Sequence, residues 1–503
     1  MFDYLKKTWN EKPLSSILWI AFLVRIPAVI FSKGYGWHDD HFLVIEAAQA
    51  WADGTDYNKW LPQFGATQPS GHSFFYTGLH FIFFKLMDWM HVSDPQTKMY
   101  FVRLMHALLS LVIVKYGYKI VRKLSTEQAA RTAGLMLALY WFMPLLSVRN
   151  LVEYVSIPFL MWGCWLLLDN EKKSAGRFLL SGIVLGLSLS IRFQSSIMIG
   201  GILLALLIQK QFKAFLLVGI GSALSFCAIQ LPVDLVIWKR PFAEFGEYVR
   251  YNIQNSESYG KNTWYSYTVL ILGILLPPVS LMLFFGFLRT WKKQLLLFLP
   301  TFIFLVFHSY FPNKQERFIL TIVPFIIILG VIGRYDFIGN YESQNKKWVK
   351  GCITFSVVLN FILLPFITVM YSKRSRVESM VYLSKYPNVK NVVSEDRKHA
   401  SAKMIPRFYL RQWINEHEVS LEHPIEQLRD SQKKNPPDDP PTFILFCENY
   451  DLDNRVKEMK EIFPALTYET TIEPGLIDKL LYKLNPKNAN QTIYIYKTGI
   501  TRN

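Results

Sequence analysis

The sequence predicts an α-helical polytopic membrane protein with a small C-terminal α/β domain. Of its 503 residues, 51% are hydrophobic and 16% are aromatic, and the mean hydropathy is +0.18. Soluble globular domains are rarely so apolar. Apolar runs follow one another up to residue 371, after which the composition changes to charged and proline-containing sequence. This change predicts a transmembrane domain over 1–371 and a soluble extracytoplasmic domain over 372–503.

The apolar runs give about eleven candidate transmembrane helices, since a span needs about 20 apolar residues. They are residues 13–32, 100–121, 130–148, 151–168, 176–191, 195–209, 212–237, 265–288, 295–310, 318–333 and 350–371. Lys6 and Lys7 precede the first run, but no small-residue cleavage site follows it, so we interpret it as an uncleaved span. If segment 72–92 also crossed the membrane, the loops after it would lie on the opposite sides from those that their charges indicate, so we expect a re-entrant or interfacial helix there on the outer side.

Basic residues between the runs predict the orientation. If the N-terminus is cytoplasmic, the loops on that side begin at Arg122, Asn170, Gln209, Arg289 and Arg334, and each is rich in Lys and Arg. This agrees with the positive-inside rule, so the net charge of +17 is a topology signal and not a sign of nucleic-acid binding. The outer loops, 33–99 and 238–264 among them, then face out of a bacterial inner membrane, or into the endoplasmic reticulum if the source is eukaryotic.

The cysteines and the C-terminal pattern complete the outline. Cys164, Cys227 and Cys352 lie in apolar runs and Cys447 stands alone, so we expect neither a disulfide framework nor a cysteine metal site. No metal and no other cofactor is expected. After residue 372, short β-type runs at 391–393, 442–446 and 492–496 alternate with helical stretches around 402–418 and 453–463. The proline-rich segment 433–441 is a candidate linker within this domain.

An acidic pair, Asp39 and Asp40, directly follows the first span. Carboxylates at a water–lipid boundary are costly unless they have a function. Inverting glycosyl transfer needs a base for the acceptor hydroxyl, so Asp39 is the candidate base. On an extended loop the two side chains would point to different sides, leaving Asp40 to orient the acceptor, with His38 as a substrate contact. The alternative is a solvated loop end or a helix N-cap.

Polar residues also lie between later apolar runs, on the predicted outer side of the membrane. Arg149, Asn150 and Glu153 lie between two spans, and Asn150 and Glu153 can share a helix face. Arg192 separates two further runs, and its planar guanidinium suits phosphate better than Lys does. The alternative is that these arginines are anchors reaching to the membrane interface.

Two further segments suit substrate binding. Loop 238–264 interleaves aromatic and amide side chains, which favours sugar binding, although an interfacial aromatic belt would look similar. Between two spans, the segment 312–318 holds Lys314, Glu316 and Arg317, a charged set that a plain turn would rarely need.

These motifs together resemble those of glycosyltransferase family 22, the mannosyltransferases that build GPI anchors and N-glycans from dolichyl-phosphate mannose. Segment 312–318 is similar to the family's His-Lys-Glu-x-Arg-Phe motif, with Asn313 in place of His. The acidic pair, Arg149-Asn150 with Glu153, and Arg192 have counterparts in the same order. Asn252, Tyr259, Gly260 and Trp264 lie in segments that resemble the family's Tyr-Asn, Tyr-Gly and Trp-x-x-Tyr sequence.

The resemblance implies a GT-C fold with an extracytoplasmic active site and a lipid-phosphate sugar donor. It implies that Asp39 is the catalytic base with Asp40 as its partner. Arg192, Lys314 and Arg317 would then face the donor phosphate, and Tyr259 with Trp264 would shape the groove for the sugar lipid.

The sequence therefore predicts an inverting glycosyltransferase that moves a hexose, with mannose expected, from a polyprenyl- or dolichyl-phosphate donor to a lipid-linked glycan or another extracytoplasmic acceptor. One alternative is a lipid-linked glycan polymerase or ligase, which would depend on an outer-loop Arg or His more than on Asp39. Another is a lipid or glycan transporter, which would be expected to show inverted repeats and charges near mid-span.

Overall fold

The structure is a computed structural model, and it describes residues 2–258, 262–341, 347–434, 438–484 and 490–500. The chain divides into two compact units. The helical unit contains Met1–Phe31, Asn58–His80 and Tyr100–Val369, and the α/β unit contains Ser32–Tyr57, Phe81–Met99 and Met370–Asn503. Two segments of the first outer loop thus cluster with the C-terminal residues. The functional division at residue 372 stays a prediction.

The helices up to the last apolar run are α1 (Phe2–Glu11), α2 (Pro13–Phe31), α3 (Ala47–Ala52), α4 (Phe74–Trp89), α5 (Pro95–Leu124), α6 (Glu127–Leu139), α7 (Met143–Leu146), α8 (Val152–Leu168), α9 (Ala175–Ile191), α10 (Ser195–Ile208), α11 (Phe212–Ile237), α12 (Ala243–Gln254), α13 (Ser266–Ile274), α14 (Val279–Arg289), α15 (Leu295–Tyr310), α16 (Val323–Tyr341) and α17 (Lys347–Thr368). A 3₁₀ segment, Glu316–Ile322, leads into α16. Each predicted apolar run coincides with one or two of these helices.

Length and composition identify membrane-crossing helices among the described residues. Five segments qualify, namely α2, α5, α11, α17 and Glu316–Gly339, and a sixth would be the pair α13–α14, which bends by 120°. The helices α8, α9, α10 and α15 are apolar but shorter. The predicted count of about eleven spans therefore stays a prediction. Segment 72–92 forms α4, whose depth in the membrane also stays a prediction.

Small residues allow close helix packing in the helical unit. A Cβ built on Gly182 of α9 would lie 2.3 Å from the carbonyl oxygen of Val218 in α11. Between α14 and α16, a Cβ on Gly333 would lie 1.9 Å from the carbonyl oxygen of Gly286. Such contacts between small residues let helix backbones approach where lipid gives no hydrophobic driving force for association.

A buried carboxylate pair ties α4, α11 and α12 together within the helical unit. Glu244 accepts hydrogen bonds from the backbone N–H of Phe74 at 2.9 Å and from the Gln230 amide at 2.7 Å. The same Gln230 amide donates to Asp234 at 3.1 Å, and Asp234 also accepts from the Glu244 N–H at 3.2 Å. Burial, reinforced by the Asp234 carboxylate, raises the pKa of Glu244 to about 8 despite these hydrogen bonds.

The C-terminal part of the α/β unit is a five-stranded sheet in the order β2-β1-β3-β5-β4. The strands are β1 (Asn391–Asp396), β2 (Asn415–Ser420), β3 (Pro441–Cys447), β4 (Thr467–Ile472) and β5 (Ile493–Lys497), and the helices are α18 (Arg374–Leu383), α19 (Ile425–Lys434), α20 (Leu452–Lys460) and α21 (Leu476–Leu484). Strand β1 runs parallel to β2 and β3, whereas β5 is antiparallel to β3 and β4. Val393, Ile444, Phe446 and Met459 belong to its apolar core.

The three predicted strands are confirmed as β1, β3 and β5, and the helix predicted over 453–463 is confirmed as α20. The helix predicted over 402–418 is wrong, because this stretch contains a 3₁₀ turn, Arg407–Tyr409, and then strand β2. Pairing with β1 overrides the local pattern. Glu416 is held there by the Ser394 hydroxyl, which donates to it at 2.6 Å, and by Arg407 at 3.3 Å.

Candidate active site

Three charged residues that the sequence analysis singled out meet inside the helical unit; we call Glu153, Arg192 and Arg317 the arginine cluster. Glu153 lies in the first turn of α8, where the helix dipole favours a carboxylate. Its carboxylate lies 2.8 Å from the Arg192 guanidinium and 3.8 Å from that of Arg317. All three side chains are buried, so these arginines are not interfacial anchors.

The arginine cluster carries two positive charges and one negative charge. Arg192 directly follows α9, and Arg317 lies in the 3₁₀ segment before α16. Both guanidinium groups lie near the ring of Phe318, at 5.6 and 5.5 Å from its centroid. Two guanidinium groups that meet at one carboxylate in a buried setting favour binding of an anion.

Neighbouring amides and a tyrosine fix the two arginines. Arg192 donates to the Gln194 side chain at 3.2 Å, and Arg317 donates to the Gln315 side chain at 2.9 Å. The Tyr267 hydroxyl holds the backbone of Gln315 from both sides, since it donates to the carbonyl oxygen at 3.0 Å and accepts from the N–H at 3.1 Å. These contacts reduce the conformational freedom of the guanidinium groups before any ligand binds.

The remaining candidates of the helical unit have varied environments. Arg149 and Asn150 are buried in the turn before α8. The Lys314 ammonium donates to the Phe311 carbonyl at 2.6 Å, and partial burial lowers the pKa of Lys314. Asn252 donates to the Tyr248 carbonyl within α12 at 2.8 Å. Glu316 and Trp264 are exposed, and Tyr259 and Gly260 lie outside the described residues.

The acidic pair lies in the α/β unit, and its predicted extended conformation is wrong. Residues 38–46 are helical, with a π-helical turn over Asp40–Glu46 that continues into α3. Asp39 is half-buried and Asp40 is buried, so the two carboxylates differ in access to solvent. His38 is exposed, with its ring 4.3 Å from that of Phe42. The helical turn thus presents Asp39 as the more accessible of the two carboxylates.

A buried histidine and glutamate behind the acidic pair were not predicted. The His41 ring stacks between Tyr35, at 4.4 Å, and Tyr409, at 5.6 Å. Its Nε2 lies 3.5 Å from Glu46, which also accepts from the Phe408 N–H at 3.1 Å and from the Tyr57 hydroxyl. The spacing of five residues between His41 and Glu46 matches a π-helical turn, a feature frequent at functional sites, and could have signalled the pair.

A second buried network holds the first outer loop to α4 and α5. Within the α/β unit, Lys98 donates to the Gln49 side chain at 2.8 Å and pairs with Asp88, while the Gln49 amide donates to Asp88 at 3.1 Å and Asp53 at 3.0 Å. Lys98 is only 3% exposed. This network was not predicted, because its members come from three separate segments of the sequence. Among the described residues, no group of three or more His, Cys, Asp or Glu side chains is placed to hold a metal ion.

Comparison with known proteins identifies the fold. A sequence profile of the Alg9-like mannosyltransferase family matches residues 16–406. Similar solved structures include ArnT from Cupriavidus metallidurans bound to undecaprenyl phosphate, with a TM-score of 0.61 and 11% identity over 95% of this chain and 97% of that one.

Two further structures are similar. One is the oligosaccharyltransferase AglB from Archaeoglobus fulgidus in complex with an inhibitory peptide and a dolichol-phosphate. Its TM-score is 0.51 and its sequence identity is 10%, over 87% of this chain and 70% of that one. The other is the arabinofuranosyltransferase AftD from Mycobacteria, with a TM-score of 0.54 and 10% sequence identity over 97% of this chain and 40% of that one. No curated protein sequence matches this chain. The predicted GT-C fold, a helical membrane part with a small C-terminal sheet, is confirmed.

Proposed function

The chain belongs to the Alg9-like mannosyltransferase family, and we propose that it is an inverting mannosyltransferase that uses a polyprenyl- or dolichyl-phosphate sugar as donor. Its fold and family make it a membrane glycosyltransferase. The acceptor in this proposal is a hydroxyl of a lipid-linked glycan or of another extracytoplasmic molecule. We propose that the reaction takes place on the side of the membrane away from the cytoplasm.

The arginine cluster is the observation on which the proposed donor class depends. A buried site with two guanidinium groups suits a phosphate, which accepts paired hydrogen bonds from arginine. The solved structures of ArnT and AglB hold undecaprenyl phosphate and a dolichol-phosphate, respectively. Both ligands are lipid phosphates, which supports the same class of donor here.

In the proposed mechanism, Asp39 takes the proton of the acceptor hydroxyl. The acceptor oxygen attacks the anomeric carbon of the sugar while the bond from that carbon to the phosphate oxygen breaks. One displacement from the opposite face inverts the anomeric centre. The leaving lipid phosphate gains a negative charge, which Arg192, Arg317 and Lys314 stabilise. Asp39 then releases its proton to solvent.

The other residues have supporting roles in this proposal. Asp40, held in the helical turn, orients the acceptor hydroxyl. Glu153 positions the two arginines, because its carboxylate is fully buried against them. Substrate contacts are assigned to a larger set, comprising His38, Arg149, Asn150, Asn252, Tyr259, Gly260, Trp264 and Glu316.

A donor panel tests the proposal. Purified protein in lipid nanodiscs is incubated with lipid-linked glycan acceptors and with polyprenyl-phosphate mannose, polyprenyl-phosphate glucose or a nucleotide-linked mannose. We expect product from polyprenyl-phosphate mannose alone. Arg192→Gln should raise the KM for this donor, whereas Arg250→Gln, which alters an exposed arginine paired with Glu247, should leave it unchanged. Product from the nucleotide sugar would contradict the donor class, and transfer of a preassembled glycan would favour a ligase.

A further inference from the structure

A polar cavity of about 340 Å³ lies at one end of the helical unit, away from the arginine cluster. It is lined by the end of α5, the two residues between α5 and α6, the end of α14 with the turn after it, and the later part of α16. Its volume is in the range of ligand pockets, about 300–1,000 Å³. The chain from Arg317 to Asp336, mostly helical, separates the arginine cluster from this cavity. At 1.5 Å per helical residue this is roughly 25–30 Å, so the cavity is a separate site.

The lining of this cavity is positively charged. Arg289 and Lys293 contribute two cations, and among the described lining residues the single carboxylate is Asp336. Asp336 pairs with Lys293 at 2.7 Å. The Arg289 guanidinium lies over the rings of Phe285, at 5.6 Å, and Phe337, at 5.0 Å, which orient it without neutralising its charge. One positive charge is therefore left for an anionic ligand.

The helix that carries Arg289 also presents an apolar surface. Leu281, Phe285 and Leu288 are exposed large hydrophobic residues spaced along one face of α14. Just beyond, Trp291 is 53% exposed with the Lys292 ammonium 4.8 Å from its ring, a combination typical of the membrane–water interface. A ligand with an anionic head and an acyl tail would use both surfaces, whereas free phosphate would use only the cavity.

We propose that this cavity binds the phosphate headgroup of an anionic phospholipid whose acyl chains lie along α14. Basic pockets between membrane helices are known to bind such headgroups. The topology predicted from the sequence puts this end of the helices at the cytoplasmic surface, where anionic lipid is available. The proposal does not depend on the identity of the sugar donor.

The test is lipid binding by the full-length protein in detergent, measured by native mass spectrometry and by the thermal shift on lipid addition. Phosphatidylglycerol should bind and raise the melting temperature, and phosphatidylcholine should not. Inorganic phosphate, which would use only the cavity, should give a clearly smaller shift. Arg289→Gln should weaken phosphatidylglycerol binding about fivefold or more. The matched control is Lys292→Gln, which removes an adjacent charge outside the cavity lining and should retain binding.

Three results would overturn the proposal. Equal weakening by Arg289→Gln and Lys292→Gln would indicate general attraction to a basic surface. A shift of the same size with inorganic phosphate would indicate a site for a soluble anion. Unchanged binding in Arg289→Gln would show that the cavity is not the lipid site. The melting temperature of each variant without added lipid verifies folding, so loss of binding is distinguished from loss of structure.

Discussion

Glu153 provides a direct test of the buried arginine cluster, through the substitution Glu153→Gln. The change removes the carboxylate that lies next to both Arg192 and Arg317 while conserving the size of the side chain. Both guanidinium groups then stay buried next to each other without the anionic partner that the structure gives them. We expect the variant to be markedly less stable and to bind phosphate-containing lipid more tightly.

The magnitude follows from the geometry. At an effective dielectric constant of about 20, an ion pair at 2.8 Å contributes about 6 kcal/mol and one at 3.8 Å about 4 kcal/mol of attraction. Desolvation of the three groups offsets most of this attraction in the folded state. When the carboxylate is lost, the cost of burying the arginines remains, so the expected decrease in the free energy of unfolding is about 3–5 kcal/mol.

The assay is unfolding in detergent, with and without polyprenyl phosphate. Glu127→Gln is the control, because Glu127 also faces two arginines, Arg122 at 3.1 Å and Arg131 at 3.3 Å, but is 38% exposed. Its loss should cost at most about 1 kcal/mol. Added polyprenyl phosphate should restore much of the stability of Glu153→Gln, since its phosphate replaces the missing negative charge. Equal effects of the two substitutions, or no response to the lipid, would refute the reasoning.

Three further predictions concern other parts of the chain. Because burial raises the pKa of Glu244 from 4.5 to about 8, its contribution to the free energy of unfolding is present at acid pH and is lost as the pH rises toward 8, by at most about 5 kcal/mol. Melting curves should show the melting temperature falling over this pH range, and Glu244→Gln should flatten that dependence. Tyr267→Phe, which frees the Gln315 backbone, should lower kcat/KM for the donor about five- to a hundredfold, while Tyr265→Phe at an exposed position should not. A tag inserted after residue 372 should be labelled only from outside the cytoplasm, and labelling from the cytoplasmic side alone would reverse the topology.

The helices of the fold were largely predictable, because long apolar runs bounded by charges are local features of the sequence. Each run coincides with helical structure, and even the pair α13–α14 was located as one run at 265–288. The sharp bend within that pair was not predicted. The strands β2 and β4 were also missed, since edge strands such as Asn415–Ser420 are stabilised by pairing and not by an apolar pattern.

In the candidate site, the identity of the charged residues was more predictable than their arrangement. Glu153, Arg192 and Arg317 were each singled out, but their ion pairing depends on contacts between segments up to 164 residues apart along the chain. The helical conformation of Asp39 and Asp40 was not predicted. The His41–Glu46 pair was not recognised either, because its five-residue spacing indicates a contact only where the turn is π-helical. The contacts of Lys98 were not predicted either, because its partners Gln49 and Asp88 lie in other segments of the sequence.

The central claim is that Asp39 is the base for transfer of mannose from a polyprenyl phosphate. The most direct measurement is the rate of labelled-mannose transfer by Asp39→Asn, compared with wild type and with Asp94→Asn, which alters an exposed residue at the start of α5. We expect kcat to fall by about 10²–10⁴-fold in Asp39→Asn, with an unchanged melting temperature and donor KM, and to stay normal in Asp94→Asn. A rate for Asp39→Asn within a few fold of wild type would contradict the claim.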